Sequence, residues 1–236
     1  RFLIDNIPSP QIAGVPVSVR IRAVDASGNT VPGFASDAVL YANTGLGSIS
    51  PELITFTNGE WLGSMIFRGA GANVSFVCSD FATTPHTGTS NQFQVGAGTF
   101  AGMQILLPGE TVHPGTAAGK SGTPTTQSAG SQFTATVRAV GQFWNLVNTV
   151  ADRVSLGSTD AYAVMPAETT LTSGQVLVPV RLAKSGSQRI WVSDVDQPSA
   201  RSDTSAAVNI VGGPFARVLV LAPGGTLAPG TATGRR

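Results

Sequence analysis

The sequence predicts an all-β protein built of two β-sandwich repeats in tandem, followed by the first strand of a third. Three observations carry that reading. A long segment returns at an offset of 115 residues, hydrophobic residues alternate with period two, and turn residues interrupt the alternation at hairpin spacing.

The repeat comes first because it sets the boundaries. Phe100-Ala101, Leu107 to Thr111 and Pro114 to Lys120 return as Phe215-Ala216, Ala222 to Thr226 and Pro229 to Arg235. A weaker echo links Ala13-Gly14, Arg22-Ala23-Val24 and Asn29 to Ala129-Gly130, Arg138-Ala139-Val140 and Asn145, and Ser79-Asp80 to Ser193-Asp194. Units of this length match immunoglobulin-like sandwiches. The predicted organisation is one immunoglobulin-like repeat over residues 1–98, a second over 99–213, and a segment 214–236 that opens a further repeat or acts as a donor or linker strand.

Inside each repeat the elements read as half-buried strands. Val15, Val17, Val19, Ile21 and Ala23 alternate with polar residues, as do Phe133, Ala135, Val137 and Ala139. Further strands are expected at 54–56, 62–67 and 74–78, and at 176–182 and 190–192. Asp25-Ala26-Ser27-Gly28-Asn29 reads as a turn, because Asp and Asn side chains bond the local backbone and Gly accepts positive φ. Asn58-Gly59, Gly69-Ala70-Gly71, Ser173-Gly174 and Ser185-Gly186 supply further breaks, and no apolar stripe at helical spacing occurs.

Composition bounds the function classes. Hydrophobic residues make up 42% of the 236, enough for a core in each repeat, and charged residues only 11%. A net charge of +1 from scattered Lys and Arg gives no footprint for nucleic acid, and no apolar run approaches the roughly 18 residues that span a bilayer. The chain starts at Arg1 and stops inside a recurring motif, so it is expected to be a segment of something longer. The single Cys78 shares its parity with Val74 and Phe76 and is expected to be a buried, inert thiol.

The run Ala23-Val24-Asp25-Ala26-Ser27-Gly28-Asn29-Thr30-Val31-Pro32-Gly33, with Gly45 to Pro51 and Thr57-Asn58-Gly59, resembles the bacterial Ig-like repeats of invasin- and intimin-type surface proteins. The second repeat is similar to the low-charge Ig-like repeats of very large bacterial extracellular proteins, through Pro114-Gly115-Thr116, Gly122-Thr123-Pro124, Trp144 to Val147 and Ser193 to Asp196. It departs from the invasin pattern at Gly141-Gln142-Phe143-Trp144, where the turn Asp and Gly are missing. The resemblance implies an extracellular, cell-surface location, a spacing, adhesive or fibre-building role, neighbouring repeats or other copies as partners, and no catalytic residues.

Chemistry-bearing motifs are sparse. Gly115 to Ser121 mimics a phosphate-binding loop but has three residues between its glycines, where that loop needs four, and no helix pattern follows. The histidines, His86 and His113, lie in different repeats beside prolines, so no nucleophile–base pair is expected. The carboxylates Glu52, Glu60 and Asp80 are too scattered to indicate a glycosidase pair. The expectation is therefore a non-enzyme without cofactor. Asp194, Asp196 and Asp203 are weak candidates for Ca²⁺.

Trp61, Trp144 and Trp191, with Tyr162, fall outside the main apolar alternation and are candidate contacts for a polysaccharide, a cell-surface ligand or a neighbouring repeat. For self-assembly, the candidates are Phe215, Val218, Leu219, Val220 and Leu221, which would complete a sandwich in this array or in another copy.

Overall fold

The computed structural model describes every residue except Leu46, one of the turn residues behind the family resemblance. The described residues form strands, turns and loops, and no helix is long and apolar enough to cross a membrane. The chain divides into two compact units. The first comprises Arg1–Thr99 with His113–Gly119 and Gly141–Asn145; the second comprises Phe100–Val112, Lys120–Val140 and Leu146–Arg236.

The first unit is a sandwich of antiparallel sheets. One layer orders Phe2–Ile4, Pro16–Ala23, Glu60–Phe67 and Ile49–Ser50; the facing layer orders Thr87–Thr89, Phe76–Asp80, Asp37–Ala42 and Leu53–Thr55. A smaller sheet closes one edge, where Gln11–Ile12 runs parallel to Phe93–Gly96, itself antiparallel to Gly71–Val74. Period-two alternation fills the space between layers: Val19, Ile21, Leu40, Met65, Phe67, Phe76 and Cys78 point inward. Phe2, Phe34 and Phe56 form one aromatic cluster, with ring centroids 5.1 to 5.5 Å apart. Phe67 packs against Phe76 and Phe93 in another. One expected core position differs: Val15 precedes the strand and is 49% exposed. Leu62, in the strand expected over 62–67, occupies the outward parity at 71%.

The second unit repeats the plan with an aliphatic core. Gly102–Leu106, Gln132–Val140 and Gln175–Arg181 form one layer, and Glu168–Thr170, Arg153–Ser158, Ile190–Asp194 and Asp203–Thr204 the other. Gln127–Ser128 again pairs in parallel with the last strand, Val208–Val211. Met103, Ile105, Val137, Val178, Val180, Ile190 and Val192 fill the interior. The hairpin turns match their sequence: Asn58-Gly59 and Ser173-Gly174 both have positive φ at each residue, as a type I′ turn requires.

Gly102–Leu106 is buried on both faces, so its alternation hides a polar residue: Gln104 is fully enclosed and accepts a 2.8 Å hydrogen bond from Arg138 Nη1. Burial pushes the Arg138 guanidinium below its ordinary value. The segment 214–236, expected to open with a strand, contains no ladder, only a bridge between Leu227 and Arg235. A strand needs a partner, and both places that such a segment takes in this chain are filled, by Phe2–Ile4 and Gly102–Leu106.

Candidate functional site

The most developed polar arrangement is the loop cluster of the first unit formed by Gly14, Ser48, Arg68–Ala70, Gly115, Phe143 and Asn145. It starts from a backbone bend: Gly14, at φ 87°, donates its N–H to Phe67 O at 2.8 Å. A Cβ at Gly14 would lie 2.6 Å from the Phe143 ring, so only glycine admits that ring. Arg68 carries its guanidinium 5.9 Å from the same ring centroid. Asn145, 2% exposed, donates from Nδ2 to Arg68 O at 2.7 Å and accepts at Oδ1 from Ala70 N at 2.9 Å. One side chain thus satisfies a donor and an acceptor of a bent backbone.

Gly115 seats its backbone beside Ser48 and Gly69, within a closed loop. In it, His113 N donates to Gly119 O, Thr116 Oγ1 donates to His113 O at 2.7 Å, and Gly119 N donates to Thr116 Oγ1 at 3.2 Å. This is the segment whose sequence mimics a phosphate-binding loop, and it is a turn between strands. Trp144 covers Gly119 and donates from Nε1 to Ala117 O at 3.0 Å.

The second unit carries the counterpart of this cluster. Gly130, at φ 81°, donates to Leu182 O at 2.7 Å, and the buried Asp160 carboxylate accepts from Ala183 N and Lys184 N. The segment 214–236 folds a copy of the closed loop onto this unit. Ala228 N donates to Gly234 O at 2.8 Å, Thr231 Oγ1 to Ala228 O at 2.7 Å, and Gly234 N to Thr231 Oγ1 at 2.9 Å. Gly230 lies under the Tyr162 ring, whose hydroxyl accepts from Arg236 at 3.2 Å.

The other sequence candidates are dispersed. Trp61 packs against the first core and overhangs Gly63, while Trp191, 41% exposed, covers Gly157 on the neighbouring strand. Aromatic rings over strand glycines fill space that a side chain would otherwise take. Phe215, Val218, Val220 and Leu221 are exposed and Leu219 is half-buried, so the apolar face expected there is unpaired.

The weak calcium candidates Asp194, Asp196 and Asp203 each accept hydrogen bonds within the fold. Asp196 is committed to Arg153, Asp203 accepts from Ile105 N at 2.9 Å, and among the described residues no group of three His, Cys, Asp or Glu could hold a metal ion. Glu60 pairs with Arg20, Glu52 accepts from Gly47 N, and Asp80 is buried. Cys78 is fully buried, and burial followed by the Asp80 charge pushes its thiol up to about 12.

Sequence reasoning paired Asp80 with Asp194 but missed that the two stand in opposite states. Burial alone would raise the Asp80 carboxyl, but hydrogen bonds from the His86 ring and from the His86 and Ala82 N–H groups outweigh it and hold the carboxyl below its ordinary value. At Asp194, burial wins. Its Oδ2 has no hydrogen bond and the Asp152 charge adds to the penalty, so the carboxyl lies above its ordinary value despite bonds from Asp196 N and Gln197 N. The doubled Ser-Asp in the repeat was the available signal, and the unmatched His86 was the difference within it.

No family model matches the chain, and no curated protein matches it. Among solved structures it is similar to the D0-D1 domain of intimin, at 12% identity and a TM-score of 0.34, over 89% of this chain and 97% of that one. It is similar to invasin, a bacterial integrin-binding protein, at 14% identity and a TM-score of 0.32, over 91% of this chain and 40% of that one. A glycosyl hydrolase family 2 member from Bacteroides cellulosilyticus is similar at 10% identity and a TM-score of 0.38, with this chain spanning 24% of its length. The surface proteins that the turn residues resemble are therefore among the structures this chain is similar to.

Proposed function

We propose that the chain is a non-enzymatic structural segment of an extracellular surface or filament-forming protein, acting through tandem β-sandwich repeats and self-association. The observation that carries the reading is that two loops of the second repeat, His113–Gly119 and Gly141–Asn145, belong to the first compact unit and are buried in it through Asn145 and Gly115. Asp25, Asp80 and Asp160 are engaged in turns and Glu60 and Asp196 in ion pairs, which is consistent with a scaffold.

The exposed face of Val218 and Val220 favours continuation into a further repeat over donation to another copy, since both first-strand places are occupied. Deleting residues 214–236 is expected to leave the oligomeric state unchanged by light scattering; loss of a polymer would instead establish strand donation. Surface location is tested with antibodies to the segment. They should label intact cells of the source, and labelling only after permeabilisation would refute it.

A carbohydrate-binding role is the second reading, favoured by the exposure of Trp191. It predicts retention on a polysaccharide array that is lost in Trp191→Ala.

A further inference from the structure

We infer that the surface of the second unit made by Gly130, Ala183 and Ser185 beside Tyr162 is a preformed seat for one loop of a following repeat built like the second. This rests on the array reading and names the surface through which the array continues. In the first unit the equivalent seat is full: the Phe143 ring lies on Gly14, and Asn145 bonds Arg68 O and Ala70 N. Gly14 and Gly130 are equivalent by hydrogen bonding as well as by sequence. Their neighbours repeat the pattern, with Ala13 N on Gly96 O and Ala129 N on Val211 O, and with Val15 N on Ile12 O and Ser131 N on Ser128 O. Counting on from Phe67 and Leu182, which accept from the two glycines, Ala183 replaces Arg68 and Ser185 replaces Ala70.

The second seat is half filled. Its closed loop is already docked, with Gly230 under Tyr162 where Gly115 sits beside Ser48. The other half is open. Nothing lies within 4 Å of a Cβ built on Gly130, and Lys184 and Ser185 are exposed where Gly69 is buried and Ala70 half-buried. The occupant is indicated by the chain itself. Residues 215–222 repeat 100–107, whose Met103 and Ile105 are buried against their own sandwich, yet the equivalent Val218 and Val220 are 78% and 72% exposed. The sandwich that would cover those valines begins with this segment, and its copy of the Gly141–Asn145 turn would reach the seat from the docked loop. Its aromatic ring would lie on Gly130, and its asparagine amide would donate to Ala183 O and accept from Ser185 N.

The test extends the full chain after Arg236 with a copy of residues 122–213, so that residues 214–236 open a third unit. Amide hydrogen exchange is then followed at Ser185. If the seat is used, Ser185 exchange slows by about 100-fold relative to the unextended chain, and replacing the third unit's copy of Asn145 by Ala abolishes that protection. A third unit that folds, by the cooperative protection of its own strands, while Ser185 exchanges as before would overturn the seat and leave the array reading standing. A third unit that fails to fold would overturn both, because residues 214–236 would then not open a repeat.

Discussion

Two turns occupy the same place in the two repeats and are satisfied in opposite ways. In Asp25–Asn29 the backbone closes through Asp25 N to Asn29 O, and the Asp25 carboxylate accepts from Ser27 N, Asn29 N and Asn29 Nδ2. Hydrogen bonds from Asn29, backbone then side chain, hold that carboxyl below its ordinary value. Gly141–Asn145 closes identically, Gly141 N to Asn145 O, but has no carboxylate at its start. Its asparagine is therefore free of the local bond that Asn29 makes, and spends its amide on Arg68 and Ala70 instead. At the position of Gly28, φ 87°, stands Trp144 at φ 65°, a left-handed conformation that costs a non-glycine residue roughly 1 kcal/mol. The indole lying on Gly119 and bonding Ala117 O offsets it. The turn with the aspartate satisfies its own asparagine, and the turn without it bonds Arg68 and Ala70.

The comparison breaks most directly at the asparagines. Asn145→Ala should lower the stability of the first unit by about 2–3 kcal/mol in urea unfolding, because Arg68 O and Ala70 N are left unpaired in a buried site; Asn29→Ala should cost less than about 1 kcal/mol. Equal losses would show that the two turns do the same work. Next come the glycines beneath. Both Gly14→Ala and Gly130→Ala force a side chain to positive φ, at about 1 kcal/mol, but the first also strikes the Phe143 ring and should cost roughly twice as much. A matched pair of melting shifts would overturn the contact.

The smallest effect has opposite signs in the two repeats. Asp80→Asn should destabilise the first unit at pH 7 by about 1 kcal/mol, whereas Asp194→Asn should leave the second unit unchanged or slightly stabler. The signs follow from the carboxyls. Asp80, held below its ordinary value, contributes stability that is present above about pH 4 and is lost as pH falls through its folded value. Asp194, raised above it, costs stability while ionised, and that cost disappears as pH falls through its raised value. Differences between each variant and the parent should accordingly shrink on acidification. Persistence of the Asp80→Asn deficit well below pH 3 would point to packing and not to charge.

The sequence by itself determined the strands, the repeat and the hairpin turns, because these rest on local rules: period-two alternation, positive φ at Asn58-Gly59 and Ser173-Gly174, and a carboxylate placed to close Asp25–Asn29. Cys78 was legible for the same reason, its parity matching its buried neighbours. Local rules misjudged Val15, where alternation runs past a strand's start, and did not reach Gln104, which sits on a strand covered from both sides. Only the tertiary structure decided where loops were spent. Asn145 meets Ala70 across 75 residues of chain and Phe143 meets Gly14 across a longer span still, and no local pattern encodes a contact between segments so far apart. The 115-residue repeat in the sequence marks Phe215 as the counterpart of Phe100; the folded chain adds that Gly230 lies under Tyr162 while Gly130 is uncovered.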